Sequence, residues 1–352
     1  MRIGRIAFDK PSVVVLGAGA SRGASFVKDL SGALPPLDSD FFTQAQRLSH
    51  DKPADLIQGL IAYAVDIFGP NFKLTMEGFL THVEHLSHVF EDYKFQGRPP
   101  DNPYPAVRGN FLQVLAAVLD EAIGRDPDCE YHRSLVSSLS ADDTVLSFNY
   151  DWLIDSTLKN HGAGKWNPRI GYGVPAYSIG DKGKGTEYWA SADPSDGKKW
   201  YPDRSIHLLK LHGSMNWFEV PRDREFTRLR LRKRWWHQRG SLKFEIAPPE
   251  WNKPIRSGIY QRIWRRARAV LKETKAIIII GYSLPSTDLP AQALLMVDSS
   301  MSDAAKDLDL LAIINPDQTA RARIRQVLRS RIKRDTRVLT FDKFEEFARF
   351  LR

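Results

Sequence analysis

Five short polar clusters, each directly after an apolar run, carry the residue types that could do chemistry in this chain. Val13-Val14-Val15-Leu16 runs into Gly17-Ala18-Gly19-Ala20-Ser21-Arg22-Gly23. Glycines in such a turn allow tight dihedrals and let backbone N–H groups approach a phosphate at the start of a following helix. Leu146-Ser147-Phe148 is followed by Asn149-Tyr150-Asp151, two short polar side chains at the end of an apolar segment. Leu208-Leu209-Lys210-Leu211 ends in His212-Gly213-Ser214, which puts a group with an ordinary pKa near 6.5 where it could move a proton or orient a hydroxyl. The fourth cluster is Gly281-Tyr282-Ser283-Leu284-Pro285-Ser286-Thr287-Asp288, and the fifth is Asn315-Pro316-Asp317.

Each cluster also has a plain structural reading. The glycine loop departs from the G-x-G-x-x-G spacing: Arg22 stands where the third glycine belongs, and Gly23 follows one residue late. No strand ending in an acid follows at the usual distance, since Leu34-Pro35-Pro36-Leu37-Asp38 reads as a loop. That weakens an ordinary NAD(P) dehydrogenase and leaves a simple strand–helix turn open. Asp151 could cap a helix starting at Leu153. His212 alone could be a satisfied structural histidine. Five strands ending in small or polar residues carry more weight than any one of them.

The positioning elements follow from period. Strands are expected at Ser12–Leu16, Thr144–Phe148, Ile206–Leu211, Ala276–Ile280, Leu308–Ile314 and Arg337–Phe341. Unbroken apolar runs such as Ile277–Ile280 suit parallel strands covered on both faces. Helical patterns lie between them at Ile255–Glu273 and Ala320–Ile332, and Phe344–Leu351 closes the chain. The alternation predicts an α/β fold: a doubly wound, mostly parallel, Rossmann-like sheet. Residues 40–139 are strand-poor, with helical patterns at Leu56–Phe68, Met76–Phe90 and Val107–Ile123, and read as an inserted helical subdomain. Residues 160–205, rich in Gly, Pro, Ser, Asp and Trp, read as an irregular insertion or hairpins. One composite domain over 1–352 is the expectation.

The 352 residues, 42% hydrophobic and 26% charged, exclude a disordered or collagen-like chain. No apolar run reaches the roughly 18 residues of a membrane span. Arg2, Arg5 and Lys10 before Val13–Leu16 imitate a signal peptide, but the run is short and Gly-interrupted, so a cytoplasmic protein without membrane contact is expected. The net charge of +9 is local. Arg222–Arg239 holds eight Lys or Arg against two acids, and Arg321–Arg337 eight against one. These stretches could meet nucleic acid or an acidic partner, or only water. Arg228–Trp236 alternates basic and apolar residues, which suits an edge strand with one charged face and a docking role.

Taken in order, GAGAS, FNYD, LHGS, GYSLPSTD and INPD resemble the sirtuin-like NAD-binding domain, in the divergent bacterial branch linked to antiviral defence. The resemblance runs from about Val13 through Asp317. It implies that Gly17, Ala18, Gly19, Ala20 and Ser21 hold the NAD pyrophosphate. Asn149 and Asp151 would sit beside the nicotinamide ribose, with His212 as the catalytic histidine. Gly281 and Ser283 would line the cofactor, and Asn315 would approach the adenosine ribose; Asp38 is a looser match. Sirtuin deacylases carry a zinc held by four cysteines, and Cys129 is the only cysteine here, so no zinc is expected.

The function this resemblance implies is NAD glycohydrolysis: NAD is the substrate, and nicotinamide and ADP-ribose are the products. The cellular role would be NAD depletion in abortive infection. The alternatives are an NAD-dependent transferase (deacylation, ADP-ribosyl transfer or cyclisation) and a non-catalytic NAD or ADP-ribose sensor. The implied partners are further copies in a homo-oligomer, or a separate sensor such as a nucleic-acid-handling ATPase or an Argonaute-type protein.

Overall fold

The computed structural model describes residues 11–27, 32–48, 54–91, 104–124, 127–178, 187–191, 204–220, 223–230, 244–247, 258–296 and 305–352. By its contacts the chain divides into two compact units. One holds Met1–Phe26, Asp126–Ile246 and Pro254–Arg352, and the other Val27–Arg125 and Ala247–Lys253.

In the first unit the β-branched runs form a six-stranded, all-parallel sheet, with strands and helices numbered along the chain. They are β1 (Ser12–Leu16), β2 (Thr144–Ser147), β5 (His207–Lys210), β9 (Ala276–Ile280), β10 (Leu310–Ile314) and β11 (Arg337–Phe341), in the spatial order β11-β10-β9-β1-β2-β5. Val14 lies between Val145 on one side and Ile278 on the other. Both faces are covered, so Ile277–Ile280 are all fully buried, each burial stabilising by about 1.5–3 kcal/mol relative to exposure. Helices α1 (Ala18–Arg22), α6 (Glu130–Ser138), α7 (Leu153–His161), α9 (Gly258–Glu273), α10 (Leu289–Leu295), α11 (Gln318–Val327) and α12 (Phe344–Phe350) alternate with the strands. This is the doubly wound α/β architecture expected from the apolar runs.

The register is pinned at the amino ends. Asp143 Oδ1 accepts from the Ser12 amide at 2.6 Å and from the Ser12 hydroxyl at 2.7 Å, tying β1 to the turn before β2. Across β9, the buried Arg331 donates to the carbonyls of Leu271, Thr274 and Lys306. Arg321 donates to the Asn315 and Phe341 carbonyls, and Arg323 to those of Ser283 and Leu284. Arg321, Arg323 and Arg331 therefore serve carbonyls of the fold itself, while Arg325, Arg329, Lys333, Arg334 and Arg337 remain exposed.

The same unit contains a second, antiparallel sheet, whose first strand pair falls in the 160–205 stretch read as an irregular insertion or hairpins. Its strands β3 (Ala176–Ser178), β4 (Glu187–Ser191), β6 (Gly213–Val220), β7 (Asp223–Arg230) and β8 (Phe244–Ile246) lie in the order β3-β4-β7-β6-β8. Short helix α8 (Pro168–Gly171) precedes β3. The basic alternation was expected to mark an edge strand, and its described part is interior: β7 pairs with β4 on one side and β6 on the other. Alternation reports one polar and one apolar face, which any antiparallel strand can have, and says nothing about its hydrogen-bonded edges. Residues 231–236 of that stretch lie outside the described residues.

In the second unit, α2 (Phe41–Gln46), α3 (Ala54–Phe68), α4 (Met76–Glu91) and α5 (Tyr104–Ile123) pack around aromatic side chains. Phe111 lies 4.5 Å from Phe41 and 5.4 Å from Phe79 between ring centroids. Asp38 accepts from the Glu77 amide through Oδ1 and from the Met76 amide through its carbonyl, closing the start of α4.

Candidate functional site

The order of the parallel sheet reverses between β1 and β9. In doubly wound sheets, ligands bind beyond the carboxyl ends of the strands at such a switch point. The loops leaving β1 and β9 meet there. Gly19 N donates to Gly281 O at 2.8 Å, and Gly17 N to Ile280 O at 3.0 Å. A Cβ on Gly17 would lie 2.4 Å from the Tyr282 Cα, and one on Gly281, whose φ is +61°, would lie 2.1 Å from the Ala20 amide. Loop-to-loop contact therefore demands these glycines, independently of any ligand. Ala18 is half-buried and Ala20 buried in the same turn.

Ser21 faces β2. Its hydroxyl donates to Asp151 Oδ2 at 2.6 Å and accepts from Asn149 Nδ2 at 3.2 Å. A hydroxyl has one proton, and the short contact to a carboxylate claims it. Ser21 can then only accept from Asn149, which fixes the amide with Nδ2 inward and Oδ1 on the far side. That Oδ1 is buried without a hydrogen-bond partner among the described residues. Buried acceptors are rarely left so, and each such group marks a place where something binds or where stability is lost. Asp151 Oδ1 meanwhile accepts from the Leu153 amide at 3.0 Å, so Asp151 also caps the start of α7.

His212 occupies the two-residue step where the chain leaves β5 and enters β6. Gly213, at φ +73°, makes the bend. The imidazole lies edge-on to Phe148 at 5.1 Å and against Tyr150 at 6.0 Å, the two neighbours of Asn149 in the chain. Its Nε2 is 3.5 Å from Asp288 Oδ2, and both side chains are buried. Asp288 Oδ2 also accepts from the Tyr282 hydroxyl at 2.8 Å, and the Tyr282 ring stacks on Phe148 at 4.3 Å and 3°.

The fifth cluster braces the fourth. Asn315 Nδ2 donates to Tyr282 O at 3.2 Å, and its Oδ1 accepts from the Asp317 amide at 2.9 Å. Ser283 is exposed, with its carbonyl held by Arg323. Behind Asp151 lies a buried network: Lys210 donates to the Asp151 carbonyl and to Asp155 Oδ2, and Tyr172 donates to Asp155 Oδ1 at 2.6 Å. Burial, with the Asp155 charge adding, pushes the Tyr172 phenol well above its ordinary range.

Of the expected site residues, Ser21, Asn149 and Asp151 form one hydrogen-bonded group, and Gly17, Gly19 and Gly281 one loop contact. His212 stands against the residues flanking Asn149. Asn315 and Ser283 enter as parts of the β9 loop. Phe148, Tyr282 and Asp288 were not singled out, although all three lie within the clusters quoted from the sequence. Phe148 and Asp288 meet His212, and Tyr282 meets both of them, across distant segments, which leaves no local signal.

This chain is similar to a Sir2 protein of known structure. That protein was crystallised with an inhibitor, 2'-O-acetyl-ADP-ribose and a deacetylated peptide; the identity is 13%, the match covers 75% of this chain and 87% of that chain, and the TM-score is 0.35. No protein-family model matches the chain, and no curated protein matches it. Among the described residues, no group of three or more His, Cys, Asp or Glu side chains could hold a metal ion, and no helix is long and apolar enough to cross a membrane.

Proposed function

We propose that this chain cleaves the nicotinamide–ribose bond of NAD, giving nicotinamide and ADP-ribose. The observation that carries the reading is the buried Oδ1 of Asn149, without a partner among the described residues and fixed in orientation by Ser21 and Asp151 at the carboxyl end of β2. An acceptor held this way can orient an O–H donor, either a ribose hydroxyl or the attacking water, without reorganising during reaction. The nicotinamide of NAD is cationic, so when its bond to C1' breaks the electron pair leaves with it and an oxocarbenium-like ribose remains. Water adds to C1' and gives up a proton, for which His212 is the nearby acceptor. Asp151, committed to Ser21 and to the α7 cap, acts through Asn149. In this reading the glycine loop and Gly281 carry the pyrophosphate, with Ser283 and Asn315 along the β9 and β10 loops.

A chain with one cysteine cannot build a four-cysteine zinc module, which favours hydrolysis over acyl-lysine chemistry. The cellular form of the proposal is NAD depletion in antiviral defence, set off by self-association or a separate sensor protein. Purified full-length protein incubated with NAD, alone and with candidate partners, is expected to release nicotinamide and ADP-ribose in equal amounts. Tight NAD binding with no nicotinamide under any of these conditions would replace hydrolysis with the sensor reading.

A further inference from the structure

His212 is the one proposed participant whose chemistry depends on which ring nitrogen carries the proton, and Asp288 addresses that point. The Nε2–Oδ2 separation is 3.5 Å, an ion-pair approach without hydrogen-bond geometry, with side-chain exposures of 6% and 3%. A carboxylate this near, screened from water, favours a proton on the nitrogen facing it. Asp288 is itself held on several sides. Tyr282 donates to its Oδ2 at 2.8 Å, and the Ala291 amide donates to its Oδ1 at 3.4 Å. The loop beneath is clamped by Arg323, at 3.0 Å to Ser283 O and 2.9 Å to Leu284 O, and by Asn315 on Tyr282 O. Leu284 sits at φ +48°, a conformation costly for a residue with a side chain and kept only where surroundings enforce it. Phe148 touches both rings, stacking on Tyr282 and meeting His212 edge-on. Among the described residues, the titratable groups that meet the imidazole include Asp288 from the β9 loop and Tyr150 from the β2 loop, with Tyr282 reaching it through Asp288.

We propose that Asp288 is a positioning residue for His212: it holds the Nε2–H tautomer, so that Nδ1 is the proton acceptor, and it stabilises the imidazolium that forms. The proposal rests on the NAD-cleaving reading. In the hydrolytic step the water oxygen bonds to C1', its proton passes to His212 Nδ1 and then to solvent, and Asp288 stays ionised throughout. This is the division of labour by which a carboxylate orients a catalytic histidine without taking its proton.

The test uses full-length protein labelled with ¹⁵N-histidine, with the His212 signals assigned through His212→Gln. Asp288→Asn keeps a side chain able to cap α10, so the fold is retained. Wild type should show the Nε2–H tautomer, and Asp288→Asn should lower the His212 pKa by about one or more, as expected for loss of an opposite charge within about 4–6 Å. The acidic limb of the kcat–pH profile should move to lower pH in the same variant. Its kcat should fall about 100-fold with KM little changed, within the range for general acid–base assistance, and Asp288→Glu should recover part of the loss. An unchanged tautomer and pKa in Asp288→Asn would overturn the proposal, as would an unchanged kcat. If wild type released no nicotinamide, the NAD reading would fail alone, because the ring titration reads the Asp288–His212 pair without turnover.

Discussion

On one side of Asp151, Lys210, Asp155 and Tyr172 are joined by hydrogen bonds, and among the described residues none of them has a buried side-chain polar atom without a partner. On the other side, Ser21 donates to Asp151 and accepts from Asn149, yet Asn149 Oδ1 has no partner among the described residues. Both groups are buried and both join β-strand ends to neighbouring elements. A closed network adds rigidity, whereas one with a spare acceptor costs stability unless a ligand or water supplies the missing donor. The proposal gives structure to the first group and chemistry to the second.

The largest expected effect is at the open group. Asn149→Ala should lower nicotinamide release by about 1,000-fold, the scale for removing one preorganised hydrogen-bonding group, with an unchanged urea midpoint. A comparable loss of stability instead would move Asn149 into the structural class. At the closed group the effect should appear in stability. Lys210→Met, which strands Asp155, should cost about 3–5 kcal/mol by urea unfolding, and the Lys210→Met/Asp155→Leu pair should cost less than the single change. Ser21→Ala should lie between the two groups: freeing the Asn149 amide to turn should reduce turnover about 10- to 100-fold, as for a lost hydrogen bond to a charged partner. No change in turnover on Ser21→Ala would show that the amide orientation is set elsewhere.

The smallest expected effect separates the two histidines at the ends of β5. His212 faces a carboxylate, while His207 lies 2.8 Å from the Arg266 guanidinium. Burial, with the Arg266 charge adding, lowers the His207 pKa from 6.5 to about 4. Between these values the unfolded chain takes up a proton that the folded chain refuses. Stability from this group is therefore intact above pH 6.5 and is lost as pH falls toward 4. His207→Gln should flatten the unfolding free energy across that window, read from urea curves at several pH values. An unaltered slope would mean that His207 titrates normally.

The parallel sheet was legible because its strands are continuous apolar runs: Ile277–Ile280 can only be buried on both faces, and each run ends in a glycine or a polar cluster. The antiparallel sheet was not, since β3 and β8 are three residues each and β7 alternates as an exposed edge would. At the site, residue types at strand ends pointed to Asn149, Asp151 and His212. Their partnerships did not follow, because Ser21 reaches Asp151 and Asp288 reaches His212 only once β1, β2, β5 and β9 are side by side. Nor did the basic stretch 321–337 announce that Arg321, Arg323 and Arg331 point at carbonyl groups of the fold itself.

Following NAD, nicotinamide and ADP-ribose together in one reaction, with wild type and Asn149→Ala in parallel and candidate partners added to each, tests the central claim most directly. Wild type is expected to convert NAD to nicotinamide and ADP-ribose one for one, and Asn149→Ala, equally folded, to release almost none. Equal nicotinamide release by the two proteins, or none from wild type in any mixture, would contradict it.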